Sequence, residues 1–442
     1  MQTSFTPAQL ADPRTAHSES ILRKCVHCGF CTATCPTYVE LGNELDSPRG
    51  RIYLIKDMLE NGRAADRETV IHIDRCLSCL SCMTTCPSGV NYMHLIDHAR
   101  AHIEKTYRRP LLDRVTRAAL ARILPYPARF RAALKLARLG RPLKPLLSAM
   151  PGLKPVAAML ELAPRDVPAA QKPQAARPGK PRGRVALLSG CAQSVLDPGI
   201  NAATARLLSR LGIEIVPASG EGCCGALVHH MGREEEALAF ARRNIDAWTR
   251  VIEDGGLDAI IITASGCGTT VKDYGHMLRL DPDYAEKARR ISALAKDITE
   301  YLASFDLPEP VITPGLTIAY HSACSMQHGQ KITREPKMLL SRAGFVVKEP
   351  REGHLCCGSA GNYNILQPDI ARRLRDRKVR NIEATGASVV ATGNIGCITQ
   401  IATGTRLPIV HTVELLDWAY GGPKPAGLPE PQQASEPAAA AE

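Results

Sequence analysis

The sequence contains no long hydrophobic run and few aromatic residues. No stretch of about 18 apolar residues occurs along its 442 residues, so no transmembrane helix is expected. Residues 1–20 hold no apolar core, so a secretory signal peptide is not expected either. Aromatic residues make up 4% of the chain and form no stacking platform beside the basic residues, so nucleic acid is not an expected partner.

Cysteine, by contrast, is abundant, with 16 residues. Without a secretory signal, these cysteines are expected in a reducing compartment, where metal binding or redox chemistry is commoner than disulfide formation. They form two groups of eight, separated by residues 100–184, which contain none. The first group is Cys25, Cys28, Cys31, Cys35, Cys76, Cys79, Cys82 and Cys86, and the second is Cys191, Cys223, Cys224, Cys267, Cys324, Cys356, Cys357 and Cys397.

The separating segment is strongly basic. Residues 100–184 hold 20 Lys and Arg against 4 Asp and Glu, a net charge of +16 compared with +11 for the whole chain. Apolar residues at helical spacing predict helices over residues 111–124 and 128–139. These helices either pack on a neighbouring domain with a solvated basic side, or dock on an anionic membrane surface or a partner subunit. Residues 165–184 predict a flexible Pro/Ala linker, and residues 421–442 a disordered tail.

The chain after the linker contains an internal repeat. The spacing from Cys191 to Cys324 is 133 residues, and the spacing from Cys224 to Cys357 is the same. In both copies a strand ends at a cysteine, a helix leads to a second strand and a Cys-Cys-Gly motif, and a third strand precedes the last cysteine. This order predicts a β-α-β-α-β unit with a small parallel sheet, whose cysteines lie at the strand ends where sites form in such folds.

The first group of cysteines contains the pattern Cys-x2-Cys-x2-Cys-x3-Cys-Pro twice, which is the spacing of two-cluster bacterial ferredoxins. Three closely spaced thiolates surround one [4Fe–4S] cluster, and the fourth cysteine of each motif ligates the other cluster. Zinc usually takes two spaced pairs of ligands and does not require this arrangement. The predicted ligands are Cys25, Cys28, Cys31 and Cys86 for cluster 1, and Cys76, Cys79, Cys82 and Cys35 for cluster 2.

The second group of cysteines allows more than one interpretation. All eight are candidate metal or redox residues: four thiolates per repeat could bind further clusters, bind zinc, act as a dithiol, or be buried structural residues. Gly220, Gly222 and Gly225 match a dinucleotide-binding fingerprint, but the second copy has Leu355 in place of one glycine, so we reject this match. The histidines near the motifs could orient a ligand but receive no assigned role: His229, His230, His321, His328 and His354.

Two ferredoxin motifs, a basic segment and two Cys-Cys-Gly (CCG) repeats, in this order, resemble the iron–sulfur subunit family of bacterial glycolate oxidase (glycolate dehydrogenase). The resemblance extends over residues 20–415 and rests on phrases at matching places. These are ILRKCVHCGFCTATCPTY, SPRGRIYLIK, RCLSCLSCMTTCPSGV, GCAQ, NAATARLL, SGCGTTVKDYG, CCGSAGNY and GNIGC.

The resemblance implies an electron-transfer subunit of an oxidoreductase that is not catalytic alone and has no catalytic residues of its own. Electrons from glycolate, with D-lactate as a further substrate, would come from FAD-binding partner subunits and pass toward the quinone pool. The implied cofactors of this chain are two [4Fe–4S] clusters, and the CCG cysteines could hold further clusters. FAD is implied on the partner subunits only. The implied location is peripheral, on the cytoplasmic face of the bacterial inner membrane, with the quinone pool or the membrane surface as further partners.

The sequence departs from one related pattern. CCG domains also occur in heterodisulfide reductases, where the pattern ends in Cys-x-x-Cys, but here Thr270 and Gln400 stand at the position of the last cysteine. The missing thiolate counts against disulfide reduction and leaves four-cysteine binding open. The alternative functions are the iron–sulfur subunit of a lactate or glycerol-3-phosphate dehydrogenase, and a heterodisulfide-reductase-like thiol enzyme.

The expected fold is therefore α+β and multidomain. A mainly helical ferredoxin-like domain with two [4Fe–4S] clusters is followed by two tandem β-α-β-α-β repeats with small parallel sheets. The expected segments are a ferredoxin-type domain (1–100), a basic helical and Pro-rich linker (101–183), CCG repeat 1 (184–312), CCG repeat 2 (313–420) and a disordered tail (421–442).

Overall fold

The computed structural model describes residues 1–171 and 181–429. Residues 172–180 of the predicted linker and residues 430–442 of the predicted tail lie outside the described residues. The described chain comprises an N-terminal helical domain, four basic helices and two α/β repeats. The multidomain α+β fold expected from the sequence is confirmed.

The N-terminal domain is entirely helical. The Ser47-Pro48 pair and Gly62 predict the start and stop of a helix, and the structure contains it. The Ser47 side chain accepts a hydrogen bond from the Gly50 N–H, Pro48 is the first helical residue, and the helix ends at Glu60, two residues before Gly62, whose φ is 56°. Apolar residues of several helices, including Leu22, Ile55, Ile73 and Leu95, form its core. The helices are α1 Pro7–Leu10, α2 Pro13–Lys24, α3 Phe30–Ala33, α4 Pro36–Leu41, α5 Pro48–Glu60, α6 Arg67–Asp74, α7 Ser81–Thr85 and α8 Tyr92–Thr106.

The basic segment forms four helices that pack against the rest of the molecule. These are α9 Leu111–Ile123, α10 Pro127–Gly140, α11 Lys144–Ala149 and α12 Lys154–Leu162, so both predicted helices are confirmed. Phe130 and Leu134 of α10 are buried against Val195 of the first repeat. One face of α10 thus belongs to the protein interior, whereas Leu136 and Leu139 on its other side are exposed.

Each repeat contains a four-stranded parallel sheet, one strand more than the sequence predicts. Repeat 1 has the strand order β2-β1-β3-β4 and repeat 2 the order β6-β5-β7-β8. The extra strand of each sheet is three residues long, which is too short for its sequence pattern to be recognised. The strands are β1 Gly183–Leu187, β2 Ile213–Val216, β3 Ala259–Ile262, β4 Ala295–Asp297, β5 Thr317–Tyr320, β6 Val346–Lys348, β7 Val389–Thr392 and β8 Ile409–His411.

Helices connect the strands on both faces of each sheet. Repeat 1 contains α13 Gln193–Leu196, α14 Gly199–Arg210, α15 Ala226–His229, α16 Glu234–Glu253, α17 Ser265–Lys272, α18 Tyr274–Met277, α19 Ala285–Leu294 and α20 Ile298–Leu302. Repeat 2 contains α21 Glu335–Arg342, α22 Tyr363–Leu366, α23 Pro368–Glu383, α24 Ile395–Ala402 and α25 Thr412–Ala419, with a π-helical turn at Ser325–Gln330.

The two repeats share one hydrophobic core. It combines residues of strands from both sheets, such as Ile261 and Ile318, with residues of α14, α20, α21 and α25. Helix α14 of repeat 1 packs on α25 of repeat 2, and α20 of repeat 1 packs on α21 of repeat 2. The repeats therefore form a pseudo-symmetric pair, and burial of this common core stabilises both together.

The helical domain packs on both repeats. His94 of α8 stacks on His276 of repeat 1 with ring centroids 3.4 Å apart. On the other side, the Tyr363 hydroxyl of repeat 2 donates a hydrogen bond of 3.1 Å to the carbonyl of Arg75. These contacts bring the first group of cysteines close to the second.

Candidate iron–sulfur and cysteine sites

The two ferredoxin motifs share one backbone conformation around their first three cysteines. His27 and Ser78, each one residue before the second cysteine, have φ of 54° and 49°, and Gly29 and Leu80 after it have φ of 84° and 63°. A left-handed conformation at a residue other than glycine costs about 1–3 kcal/mol. Its recurrence at matched positions therefore indicates a turn that the motif requires. Within this turn the Ser78 N–H donates a hydrogen bond of 3.4 Å to the Cys76 sulfur.

The four cysteines predicted for cluster 1 line one cavity. This cavity has thiol, apolar and histidine walls with one arginine, Arg49, and no carboxylate among the described residues that line it. Burial raises the pKa of Cys31 in this wall to about 11, so its thiolate needs a compensating cation. The only side-chain oxygens among the described residues that line the cavity are the hydroxyls of Ser88 and Tyr92, so its thiols fit an iron–sulfur cluster rather than a hard cation. The cysteines that line this cavity are Cys25, Cys28, Cys31 and Cys86, together with Cys82, which is predicted for cluster 2.

The cysteines predicted for cluster 2 also lie together, in a more buried place. Burial raises the pKa of Cys82, and the neighbouring thiols of Cys79, Cys76 and Cys35 raise it further. The sequence analysis missed Arg51, which is 1% exposed and whose Nη1 lies 3.8 Å from the Cys35 sulfur. The available signal in the sequence was the position of this arginine among the apolar residues of the helix that begins after Ser47. Its charge can stabilise thiolates that are excluded from water.

Each repeat brings its four cysteines together at the carboxyl ends of its strands. In repeat 2, the Cys324 and Cys356 sulfurs are 3.7 Å apart, and the Cys357 and Cys397 sulfurs are 3.4 Å apart. In repeat 1, hydrogen bonds link the thiols in the same order, which is Cys191, Cys223, Cys224 and Cys267. We call these groups quartet 1 and quartet 2. All sixteen cysteines of the chain are free, and none forms a disulfide.

Hydrogen bonding within quartet 1 favours one thiolate. The hydrogen bond that Cys223 accepts from Cys191 lowers the pKa of Cys223 to about 4. The same pairing raises the pKa of Cys191, and hydrogen bonds to Cys223 and Cys267 raise the pKa of Cys224. Four buried thiols in mutual contact form a donor set suited to a soft metal or to redox chemistry.

Both quartets face one cavity of about 400 Å³ between the repeats. Helices α9, α10 and α12 close this cavity with apolar residues such as Leu120, Leu134 and Met159. The sequence placed the cysteines at strand ends but did not predict that the two repeats would turn these ends toward each other. The apolar faces of the two basic helices were the only sequence signal for the wall.

The histidines near the motifs occupy different environments. His328 is satisfied, because its Nδ1 is 2.8 Å from the Thr84 hydroxyl and its Nε2 is 3.1 Å from the His354 carbonyl. His229 lies 3.5 Å from Asp97. His321, at the end of β5, is 2% exposed and its Nε2 has no hydrogen-bond partner among the described residues.

The structure thus defines a class of protein in which a helical module with two ferredoxin motifs is joined to a duplicated cysteine-rich domain. A 4Fe-4S dicluster domain model matches residues 21–90, and a cysteine-rich domain model (CCG) matches residues 185–272 and 318–402. The chain is 46% identical to the glycolate oxidase iron-sulfur subunit of Escherichia coli (strain K12), over 95% of this chain and 99% of that protein. The chain belongs to the family of glycolate oxidase iron–sulfur subunits.

Three further similarities are more distant. A probable glycolate oxidase iron-sulfur subunit of Bacillus subtilis (strain 168) is 32% identical, over 91% of this chain and 95% of that protein. Lactate utilization protein A of the same organism is 27% identical, over 53% of this chain and 99% of that protein. A crystal structure of a hypothetical protein from Helicobacter pylori has a TM-score of 0.54 and 10% identity, covering 93% of this chain and 73% of that chain, which shows a shared fold alone.

Within the described part of the chain, no helix combines the length and the apolar character needed to cross a bilayer.

Proposed function

We propose that this chain is the electron-transfer subunit of a flavin-dependent glycolate oxidase complex. The observation that carries the proposal is the 46% identity to a glycolate oxidase iron–sulfur subunit over 95% of the chain. FAD-binding partner subunits oxidise glycolate to glyoxylate, which releases two electrons and two protons. This chain conducts the electrons toward the quinone pool and has no catalytic residue of its own.

The eight cysteines of the ferredoxin motifs would hold two [4Fe–4S] clusters, each of which takes up and releases one electron at a time. Cys25, Cys28, Cys31 and Cys86 would hold the first, and Cys76, Cys79, Cys82 and Cys35 the second. The chain contributes the left-handed turns, a site screened from water and the charge of Arg51. Quartets 1 and 2 would serve as additional metal or redox sites.

The contact between the helical domain and repeat 2 supports a continuous path. Cys79 packs in one apolar cluster with Cys356, Leu77 and Tyr363, and Cys324 lies against this cluster. The charge of Cys324 acts on the pKa of Cys79, which is raised first by burial and then by this neighbour. Quartet 2 is thus the immediate neighbour of the second ferredoxin site.

The outer side of the basic helices supports a peripheral position on the cytoplasmic face of the inner membrane. Nine of the 18 exposed large apolar residues of the described chain lie between residues 111 and 150, within the basic segment. Exposed leucines beside Lys and Arg are typical of a surface that enters the interface of an anionic bilayer. The residues are Leu111, Leu112, Val115, Tyr126, Leu136, Leu139, Leu143, Leu146 and Met150.

A reconstitution tests the electron-transfer role. The chain alone, purified without oxygen, should oxidise no glycolate, and the flavin subunits alone should reduce their own FAD but no quinone analogue. Combining them should give glycolate-dependent quinone reduction, which Cys79→Ser in this chain should abolish while flavin reduction continues. Quinone reduction at an unchanged rate without this chain would contradict the proposal.

The same assay decides between substrates. The similarity to lactate utilization protein A makes lactate oxidation the second candidate function, with D-lactate as the substrate to test. We expect a higher kcat/KM for glycolate than for D-lactate, and the opposite order would favour the second candidate.

Flotation with lipid vesicles tests the membrane surface. The purified chain should float with vesicles containing phosphatidylglycerol and stay behind with neutral phosphatidylcholine. Leu136→Glu and Leu139→Glu together, at positions 67% and 79% exposed, should prevent flotation. Leu280→Glu, at a 48% exposed position of repeat 1, is the matched control and should float normally. If the double variant floats but no longer binds the flavin subunits, the surface is a protein contact.

A further inference from the structure

Quartet 2 has a fifth neighbour that is not a cysteine. The Nε2 or Nδ1 of His321 and the sulfurs of Cys357 and Cys397 all lie within 4.8 Å of one another. All three residues are buried, and the His321 Nε2 has no hydrogen-bond partner among the described residues. A buried polar atom without a partner costs about 1–3 kcal/mol, so an unpartnered nitrogen on an imidazole that lies beside two thiols of quartet 2 indicates a ligand for that imidazole.

The position of His321 is set by the sheet. It follows the last residue of β5, and its N–H donates a hydrogen bond of 2.8 Å to the carbonyl of Ala391 in β7. This bond continues the parallel ladder by one residue and fixes the backbone three residues before Cys324.

Gln400 stands where the heterodisulfide-reductase pattern has its last cysteine, but its side chain cannot supply the fifth ligand. The Gln400 side chain is 3% exposed, and its carbonyl oxygen accepts a hydrogen bond of 3.0 Å from Asn364. Its amide nitrogen donates a hydrogen bond of 3.2 Å to the carbonyl of Ala371. Both ends of the Gln400 side chain are therefore engaged in the fold, whereas the Nε2 of His321 has no hydrogen-bond partner among the described residues.

Repeat 1 provides an internal comparison. Leu188 is the residue that corresponds to His321, because it stands three residues before Cys191 and its N–H donates a hydrogen bond of 3.0 Å to the carbonyl of Ile261. The backbone geometry is thus the same, but Leu188 packs in an apolar cluster and offers no ligand. Quartet 1 consequently has four donors where quartet 2 has five.

We propose that repeat 2 binds an iron–sulfur cluster through quartet 2 and the His321 imidazole, and that repeat 1 has no histidine ligand. This inference rests on the proposed iron–sulfur function and adds one ligand and an asymmetry to it. Imidazole ligation of iron–sulfur clusters is chemically sound, since histidines replace cysteines on one iron of Rieske centres.

The test is pulsed EPR on the reduced full chain, purified without oxygen from cells supplied with 15N-histidine. The wild-type protein should show hyperfine coupling of a directly bound histidine nitrogen, with about 12 iron atoms per chain if three four-iron clusters are present. His321→Leu, which copies repeat 1, should lose this coupling. His354→Leu is the matched control. His354 is two residues from Cys356 but is not grouped with the thiols of quartet 2, so this variant should retain the nitrogen coupling.

A second variant separates ligation from folding. His321→Cys should retain the iron content of the wild type, because a thiolate replaces the imidazole, but should lose the nitrogen coupling. Absence of histidine coupling in the wild type, or stoichiometric zinc in place of the additional iron, would overturn the inference. In either of these outcomes, about 8 iron atoms per chain in the ferredoxin motifs would leave the proposed electron-transfer function intact. Absence of these iron atoms would refute both the proposed function and the inference about His321.

Discussion

The two repeats of this chain have the same strand order and the same four cysteines, yet they differ where chemistry depends on single residues. His321 beside quartet 2 corresponds to Leu188 beside quartet 1. Quartet 2 also contacts the ferredoxin site at Cys79, whereas quartet 1 packs against Leu120 of the basic helix α9. Repetition of a fold therefore preserves the positions of thiols, while the side chains next to them and the neighbouring domain decide how each quartet can be used.

The largest expected effect is on metal content. Cys357→Ser in quartet 2 should remove about four iron atoms per chain, the content of one cubane-sized cluster. The equivalent Cys224→Ser should remove fewer, because quartet 1 has one donor fewer and is expected to hold less iron in the purified chain. Iron and acid-labile sulfide analysis of both proteins checks this, and equal losses would mean that the repeats are functionally alike.

The contacts between the repeats differ in the same way. Asp417 of α25 is 1% exposed and lies 2.6 Å from Arg206 of α14, whereas Asp306 on the opposite side of the pair is 95% exposed and lies 3.1 Å from Arg342. Asp417→Ala should lower the free energy of unfolding by about 2–3 kcal/mol, because it removes the buried carboxylate that pairs with both Arg206 and Arg210, whose own side chains are 36% exposed and stay partly solvated. Asp306→Ala should change it by less than about 0.5 kcal/mol. Urea denaturation measures both, and a similar cost for the two variants would contradict the difference in burial.

The smallest effect is a pH dependence that arises at Glu414 of repeat 2. Helices α20 and α25 begin with equivalent capping glutamates, but Glu300 pairs with Lys272 at 2.6 Å, while Glu414 faces Asp197. Burial, followed by the charge of Asp197, raises the pKa of Glu414 to about 8. The folded protein then holds a proton that the unfolded chain releases near pH 4.5, so stability falls as pH rises between about 4.5 and 8.

Glu414→Gln should remove this decrease of stability with rising pH. Its gain in unfolding free energy over the wild type should grow with pH and reach roughly 2 kcal/mol near pH 8. Glu300→Gln, the matched control, should cost less than about 1 kcal/mol at every pH in this range. Urea midpoints measured across the range check the prediction, and parallel curves for wild type and Glu414→Gln would refute it.

The ferredoxin motifs and the repeats could be recognised in advance because their information is local. The spacing Cys25-x2-Cys28-x2-Cys31 depends on one tight turn, and that turn needs only a few consecutive residues with the required φ angles. The helix after Ser47 was predictable for the same reason, since its capping residue and first proline are adjacent.

Other features were not predictable because they join residues that are distant in sequence. The fourth strands β4 and β8 are too short to have a periodic pattern, and Arg51 acquires its role only because α5 lies beside Cys35. The neighbours of His321 are determined in the same way by the pairing of β5 with β7.

By itself, the sequence determined the family, the two ferredoxin motifs, the duplication and the order of the domains. Only the tertiary structure decided that both quartets face one cavity, that quartet 2 contacts Cys79, and that His321 lies beside Cys357 and Cys397. The physical reason is that spacing along the chain encodes the geometry of a turn, whereas contacts between strand ends depend on sheet register and on the packing of one repeat against the other.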